Sequence, residues 1–174
     1  YRAGYKWNPE ENDLIDLKAN LWMTDTDTKI VTPYAFSFPF GGTLELPQAY
    51  WDIAKRYGFD VVNASEIYTD WGEVGVSVGG SFVYETIEPP SGHVNIDSNG
   101  LLASRDGWRK EASAFTAVDW KPTDWLKFDG AIRYTWTQSY DNNTNYGSTL
   151  HNEEKNSGWA PMIGATLEPW DGIQ

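Results

Sequence analysis

The feature that most constrains this chain is a period of two in hydrophobicity, which is clearest between Leu126 and Trp136. Successive side chains of a β-strand point to opposite faces, so this stretch has one face of Leu, Phe, Gly, Ile, Tyr and Trp. The other face carries Lys, Asp and Arg. Its length matches the roughly 9–11 residues that a tilted membrane-spanning strand needs. The pattern therefore predicts a strand with one uncharged face.

The same contrast recurs in segments that begin at Tyr1, Ile15, Val74 and Trp159, and more weakly over residues 57–68 and 111–120. We therefore expect about seven or eight consecutive antiparallel strands. One face of each clear segment lacks charge, as hydrocarbon requires. The residues predicted to face lipid are Leu17, Leu21, Val76, Val78, Leu126, Phe128 and Ile132.

The connections alternate between short and long. Residues 8–13, 69–72, 121–124 and 169–172 are rich in turn formers and predict tight turns. Longer polar connections are expected over residues 25–52, 86–110 and 139–156. Short turns at one end and long loops at the other are typical of bacterial outer-membrane barrels.

Aromatic residues make up 16% of the chain, with 10 Trp and 10 Tyr, and several lie beside the predicted short turns. Such a placement is typical of the aromatic girdle at a membrane interface. The predicted girdle consists of Trp7, Trp71, Trp120, Trp125 and Trp170, and the opposite girdle of Trp22, Tyr84, Trp136 and Trp159. Together these patterns predict an all-β fold of antiparallel, up-and-down transmembrane barrel strands.

Composition excludes several other functions. A net charge of -12 excludes nucleic-acid binding, which needs a basic face, and the absence of cysteine excludes thiolate chemistry. No catalytic motif occurs, so we predict neither an enzyme nor a metal site. His93 and His151 could bind iron or haem, but without supporting ligand spacing they are better interpreted as ordinary loop residues.

Two alternatives remain open at this stage. One is a secreted, soluble β-sandwich that binds carbohydrate on exposed Trp side chains. The other is a glycoside hydrolase, which needs two converging carboxylates. The sequence indicates no such pair.

Residues 114–134 contain the phrase F-x-x-x-D-W-x-P-x-x-W-L, followed by a strand with Gly130 and Arg133-Tyr134. This hairpin resembles the barrel hairpins of TonB-dependent receptors, as does the segment 158–172. Residues 56–63 and 76–82 resemble the haem and haemoglobin receptor branch of that family.

The resemblance implies that residues 1–174 are part of the barrel domain of a longer receptor, without its plug domain and remaining strands. It implies a plugged barrel of about 22 strands in the bacterial outer membrane. The transported ligand would be haem or a ferric siderophore, and the partners would be outer-membrane lipid and the TonB complex of the inner membrane.

Overall fold

The computed structural model describes residues 1–93, 106–142 and 153–168, with side chains described except at 32–36 and 43–49. Over these ranges the chain forms seven strands that belong to one sheet. The strands are β1 (Arg2–Trp7), β2 (Asp16–Ser37), β3 (Thr43–Thr69), β4 (Gly72–Glu88), β5 (Gly107–Thr123), β6 (Leu126–Asp141) and β7 (Glu153–Leu167).

The order of the strands in the sheet is their order in the chain, and every neighbouring pair is antiparallel. The predicted all-β, up-and-down arrangement is therefore confirmed. Each segment with alternating hydrophobicity lies in a strand, because the ladder of backbone hydrogen bonds leaves its two faces free to differ.

A search of the described residues finds no helix with the length and hydrophobicity that a membrane-spanning helix requires.

The prediction of a long polar connection over residues 25–52 was wrong for most of its length. The two strands continue through it, and only residues 38–42 separate Ser37 from Thr43. Residues 24–31 are polar but include several Thr, one Ile and one Val, whose branched side chains favour extended backbone. These residues are polar because both faces of the strand are exposed to solvent here.

The other two long connections are shorter than predicted. β4 continues to Glu88 and β5 begins at Gly107, while β6 ends at Asp141 and β7 begins at Glu153. Residues 94–105 and 143–152 of these connections lie outside the described part of the chain.

The short turns fall where they were expected, with small differences. Asp70 and Trp71 alone separate β3 from β4, and Asp124 and Trp125 separate β5 from β6. β5 includes residues 121–123, which were assigned to the turn, because the pairing with β6 shifts between Trp120 and Thr123. Of the predicted turn near the C-terminal end, residues 169–172 lie outside the described ranges.

The sheet has no hydrophobic core within the described residues. None of their apolar side chains is buried, and Ile163 and Leu21 are 91% and 64% exposed. A β-sandwich would bury one face against a second sheet, yet all described strands lie in one sheet. The sandwich alternative therefore finds no support in this part of the chain.

The hairpin between β3 and β4 depends on Gly72. Its φ of 120° is one that L side chains rarely adopt, and a Cβ there would lie 2.4 Å from the carbonyl oxygen of Lys121 on β5. We expect Gly72→Ala to lower the free energy of unfolding by about 1–3 kcal/mol, because of the strained backbone. The measurement is a urea titration of the folded protein.

Gly130→Ala is the matched control, because a Cβ on Gly130 of β6 meets nothing within 4 Å. Equal stability of the two variants would contradict the role assigned to Gly72.

Candidate functional site

The register of the strands gathers the predicted lipid-facing residues on one face of the sheet. Leu17 pairs with Asn63, which pairs with Val78, and the same row continues through Thr116 to Ile132. Neighbouring rows on this face contain Leu21, Val76, Phe128 and Leu126. All seven predicted residues thus lie on what we call the apolar face.

The apolar face lacks charge over a defined band. From the row of Trp120 and Phe128 to the row of Leu21 and Phe82, no described residue of this face is Asp, Glu, Lys or Arg. The first charges appear beyond Phe82, at Lys110 and Lys155 in the next row and at Asp25, Lys55 and Glu153 in the row after it. Lys110 lies over aromatic rings, its Nζ being 4.5 Å from the Trp108 ring centroid and 5.9 Å from that of Tyr84.

The lower edge of this band, beside the short turns, is an aromatic row that slants across the sheet. The partners of Trp7 lead through β2, β3 and β4 to Thr116 of β5, whereas Trp120 lies four residues further along β5 toward the short turns. A displacement of four residues across four strands corresponds to a slope of about 35° at ~3.3 Å per residue and ~4.8 Å per strand. Barrel strands tilt by about 35–45°, so Trp7 and Trp120 lie at one level if the sheet tilts as barrels do.

The upper aromatic row slants in the same direction. The partners of Tyr84 lead to Gln138 on β6 and Lys155 on β7. On this face Trp136 and Tyr140 each lie two residues from Gln138, and Trp159 lies four residues from Lys155. Relative to these partners of Tyr84, Trp136 is displaced toward the short turns by two residues over the two strands from β4 to β6. Trp159 is displaced in the same direction by four residues over the three strands from β4 to β7. The row through Tyr84, Trp136 and Trp159 therefore slants in the same direction as the lower row.

The separation of the two rows is close to the height of a membrane band. Phe128 and Trp136 are eight residues apart on β6, about 26 Å along the strand. At a tilt of ~35° this corresponds to about 22 Å along the normal, against about 25 Å for the apolar band of outer-membrane barrels.

The other predicted girdle residues lie at or near the lower row, with two exceptions. The Trp71 ring centroid is 6.0 Å from that of Trp120, whose Nε1 donates a hydrogen bond of 3.1 Å to the Trp71 carbonyl oxygen. Trp125 occupies the next short turn and is about half exposed. Trp170 lies outside the described residues. Trp22 was wrongly assigned to the upper girdle, because its partners Arg2 and Gly58 place it on the opposite face.

The opposite face, which we call the charged face, carries matched ion pairs between strands. Lys127 Nζ is 3.8 Å from Asp119 across the β5–β6 ladder and 3.1 Å from Asp129 on its own strand. Arg56 and Glu85 pair at 3.0 Å across the β3–β4 ladder. Exposed pairs of this kind contribute little to stability, about 0–1 kcal/mol each, but they show which charges the wall itself neutralises.

Aromatic rings on the charged face lie flat over glycines. A Cβ on Gly58 would be 2.3 Å from the Trp22 ring, and one on Gly79 would be 2.6 Å from the Phe115 ring. Any larger residue would push these rings away from the backbone. Because Gly58 and Gly79 have no side chain, the two aromatic rings can lie directly against the backbone of the sheet.

Arg133 completes the second of these arrangements. It is the cross-strand partner of Phe115, and its Cζ lies 5.5 Å from the Phe115 ring centroid. The sequence did not indicate this stack, since Gly79, Phe115 and Arg133 are far apart in the chain and only the register brings them together.

An ion pair lies beyond the upper aromatic row, at the start of β7. Lys155 Nζ is 2.8 Å from Glu153, and its hydrogen bond, with a second from Gln138, lowers the pKa of Glu153 below the ordinary 4.5. Because the folded-state pKa is lowered, this contact stabilises the strand above the ordinary pKa and is lost as the pH falls through the folded-state value.

His93 follows the turn at residues 90–93 and packs against β3. Its ring centroid is 5.7 Å from that of Trp51 in an edge-on arrangement, and Lys29 Nζ lies 4.8 Å from the Trp51 ring. No three His, Cys, Asp or Glu side chains converge as metal ligands within the described ranges. His151 lies outside those ranges.

Comparisons with known proteins agree with this geometry. Over 141 residues the chain is 27% identical to the hemophilin receptor of Acinetobacter baumannii, covering 77% of this chain and 13% of that protein. It also superposes on the Serratia marcescens hemophore receptor HasR, solved as a double mutant with its hemophore HasA and heme. There the TM-score is 0.61 at 16% identity, over 95% of this chain and 25% of HasR, so the likeness concerns the fold.

The chain thus spans only a small part of the length of these relatives. The model of the family described as "TonB dependent receptor-like, beta-barrel" matches residues 1–174, the whole sequence. This family consists of receptors of the bacterial outer membrane. The chain therefore belongs to the TonB-dependent receptor family and forms part of its β-barrel.

Proposed function

We propose that this chain is part of the wall of an outer-membrane receptor that takes up haem with energy supplied by the TonB complex. The observation that carries the proposal is the uncharged band of the apolar face, bounded by two aromatic rows that slant in the same direction and lie about 22 Å apart. Such a band suits contact with hydrocarbon, and a sheet without a core of its own needs that contact.

The two faces then have separate roles. The apolar face, with Leu17, Leu21, Val76, Val78, Leu126, Phe128 and Ile132, contacts lipid, and Trp7, Trp71, Trp120 and Trp125 contact the interface beside the short turns. The charged face lines the lumen of a large barrel, which we place at about 22 strands with a plug. Short turns of such barrels face the periplasm, so the long β2–β3 hairpin points out of the cell.

Haem is the ligand that the relatives favour. One relative is named a hemophilin receptor, and the solved structure contains a hemophore and heme. A ferric siderophore is the alternative ligand within the same transport function. The protein acts as a transporter and not as an enzyme, with outer-membrane lipid and the TonB complex as partners.

The lipid contact is tested by Ile132→Arg in the complete receptor. Ile132 lies near the middle of the uncharged band, where an arginine facing lipid costs about 2–4 kcal/mol. A folding titration in lipid vesicles should show this loss. Ala131→Arg is the matched control on the neighbouring residue of the charged face, and we expect it to change stability little. Similar costs for the two variants would contradict the assignment of the faces.

The transport function is tested by growth on haem as the sole iron source. Cells whose other haem and siderophore receptors are deleted should grow on haem when the complete receptor is present, and fail when the receptor or the TonB complex is removed. Growth on a ferric siderophore but not on haem would favour the alternative ligand. Growth on haem without the TonB complex would contradict the proposed energy source.

His93 is tested separately as a haem ligand. Because its ring packs against Trp51, we expect His93→Ala to leave the Soret spectrum of the haem-loaded receptor unchanged. His151→Ala is the companion variant for the second candidate. A shifted Soret band in either variant would identify that histidine as an iron ligand.

A further inference from the structure

On the apolar face, β5 carries small side chains where the strands on either side carry aromatic rings. Within the uncharged band β5 presents Ala112 and Ala114, and the partner of Ala114 on β4 is Gly80. Ala114 is exposed, so no described part of the chain covers it. These three residues form the floor of a depression that we call the β5 groove.

The aromatic side chains beside the β5 groove pack away from it. On β4 the Phe82 ring stacks on Phe59 of β3, with 6.0 Å between the ring centroids. On β6 the Tyr134 ring packs against Trp159 of β7, with 4.8 Å between the centroids. Neighbouring strands are about 4.8 Å apart, close to the ~4.0–4.5 Å of a contact between apolar groups. The groove over β5 therefore has the width of about one acyl chain.

Lys110 lies at the upper end of the groove, two residues along β5 from Ala112. Its Nζ is 4.5 Å from the ring centroid of Trp108, which lies further from the uncharged band, and 5.9 Å from that of Tyr84. Its cross-strand partners are Tyr84 and Gln138, and neither carries a charge. The rings therefore hold the ammonium group just above the groove.

This ammonium group has no carboxylate to neutralise it in the described part of the chain, where no carboxylate oxygen lies within 4.0 Å of Lys110 Nζ. By contrast Lys155, in the same row, pairs with Glu153 at 2.8 Å. Lys110 is also in the first row above the uncharged band. If lipid chains contact that band, their headgroups lie at the level of Lys110.

We propose that the β5 groove binds one phosphate-bearing lipid of the outer leaflet, with the phosphate on Lys110 and one acyl chain over Ala112 and Ala114. This inference rests on the proposed function, which places the apolar face in the membrane and the long hairpin outside the cell. Charge complementarity selects an anionic headgroup, because the aromatic rings orient the ammonium group but leave its hydrogen-bond donors free for phosphate oxygens. The groove and the ammonium group belong to one strand, so a single lipid molecule can contact both.

The site is tested by photolabelling the complete receptor in detergent. The probe is a phosphatidic acid with a photoreactive diazirine in one acyl chain, and the labelled peptides are identified by mass spectrometry. We expect label on β5. Unlabelled phosphatidic acid should compete for this label at about one fifth of the concentration that diacylglycerol requires, since one basic residue near a membrane surface contributes about 1 kcal/mol. The two competitors have the same acyl chains and differ in the phosphate, so equal competition would overturn the proposal.

Two variants test the two parts of the site. Lys110→Gln should lower the labelling of β5 about fivefold by removing the charge, and Ala114→Phe should lower it by filling the groove. Arg109→Gln and Ala117→Phe are the matched controls, because both residues lie on the opposite face of β5, and they should leave the labelling unchanged. Labelling that is equal in each variant and its control, or absent from β5 in the unchanged receptor, would contradict the proposed site.

Failure of the proposed function is seen separately. The titration of Ile132→Arg against Ala131→Arg reports whether the apolar face contacts lipid, and growth on haem reports transport. If Ile132→Arg has the larger cost and β5 still carries no label, the lipid site alone is wrong.

Discussion

Pairing of the backbone between strands is the interaction on which the rest of this structure depends. The described residues bury no apolar side chain, so packing cannot hold the sheet together as it does in a globular domain. Within hydrocarbon every unpaired peptide group costs several kcal/mol, which makes the ladder between strands obligatory. Apart from the shift between Trp120 and Thr123, the pairing from β1 to β7 is continuous and meets this requirement.

The register also makes the two faces of the sheet distinct surfaces. A slip by one residue in any pair would exchange its faces and put residues such as Lys127 and Asp129 among Leu and Ile. The hairpin turns prevent that slip, since only two residues separate β3 from β4 and β5 from β6. By fixing the register, these turns determine both which face carries the charges and which face carries the aromatic rows.

The sequence was sufficient to predict the strands, the up-and-down order and which side chains share a face, because these follow from a period of two. It was insufficient in three places. Residues 25–52 were polar, and their extension as paired strands depends on backbone partners that polarity does not reveal. The stack of Gly79, Phe115 and Arg133 depends on register across three strands, and the common direction in which the aromatic rows slant also depends on register. Trp22 was wrongly predicted to lie in the upper girdle, because its alternation with Leu21 and Met23 places it on the charged face.

The β2–β3 hairpin has a consequence for what can approach this protein. β4 stops pairing with β3 at Ile53, so Thr28–Ser37 and their partners continue as a ribbon of only two strands. Ten residues of strand extend about 33 Å, more than the thickness of the hydrocarbon layer. A two-stranded ribbon also twists more strongly and bends more easily than a wide sheet. A large particle that approaches this end of the sheet would therefore meet the two-stranded ribbon before the wider sheet, and the ribbon could bend to accommodate it.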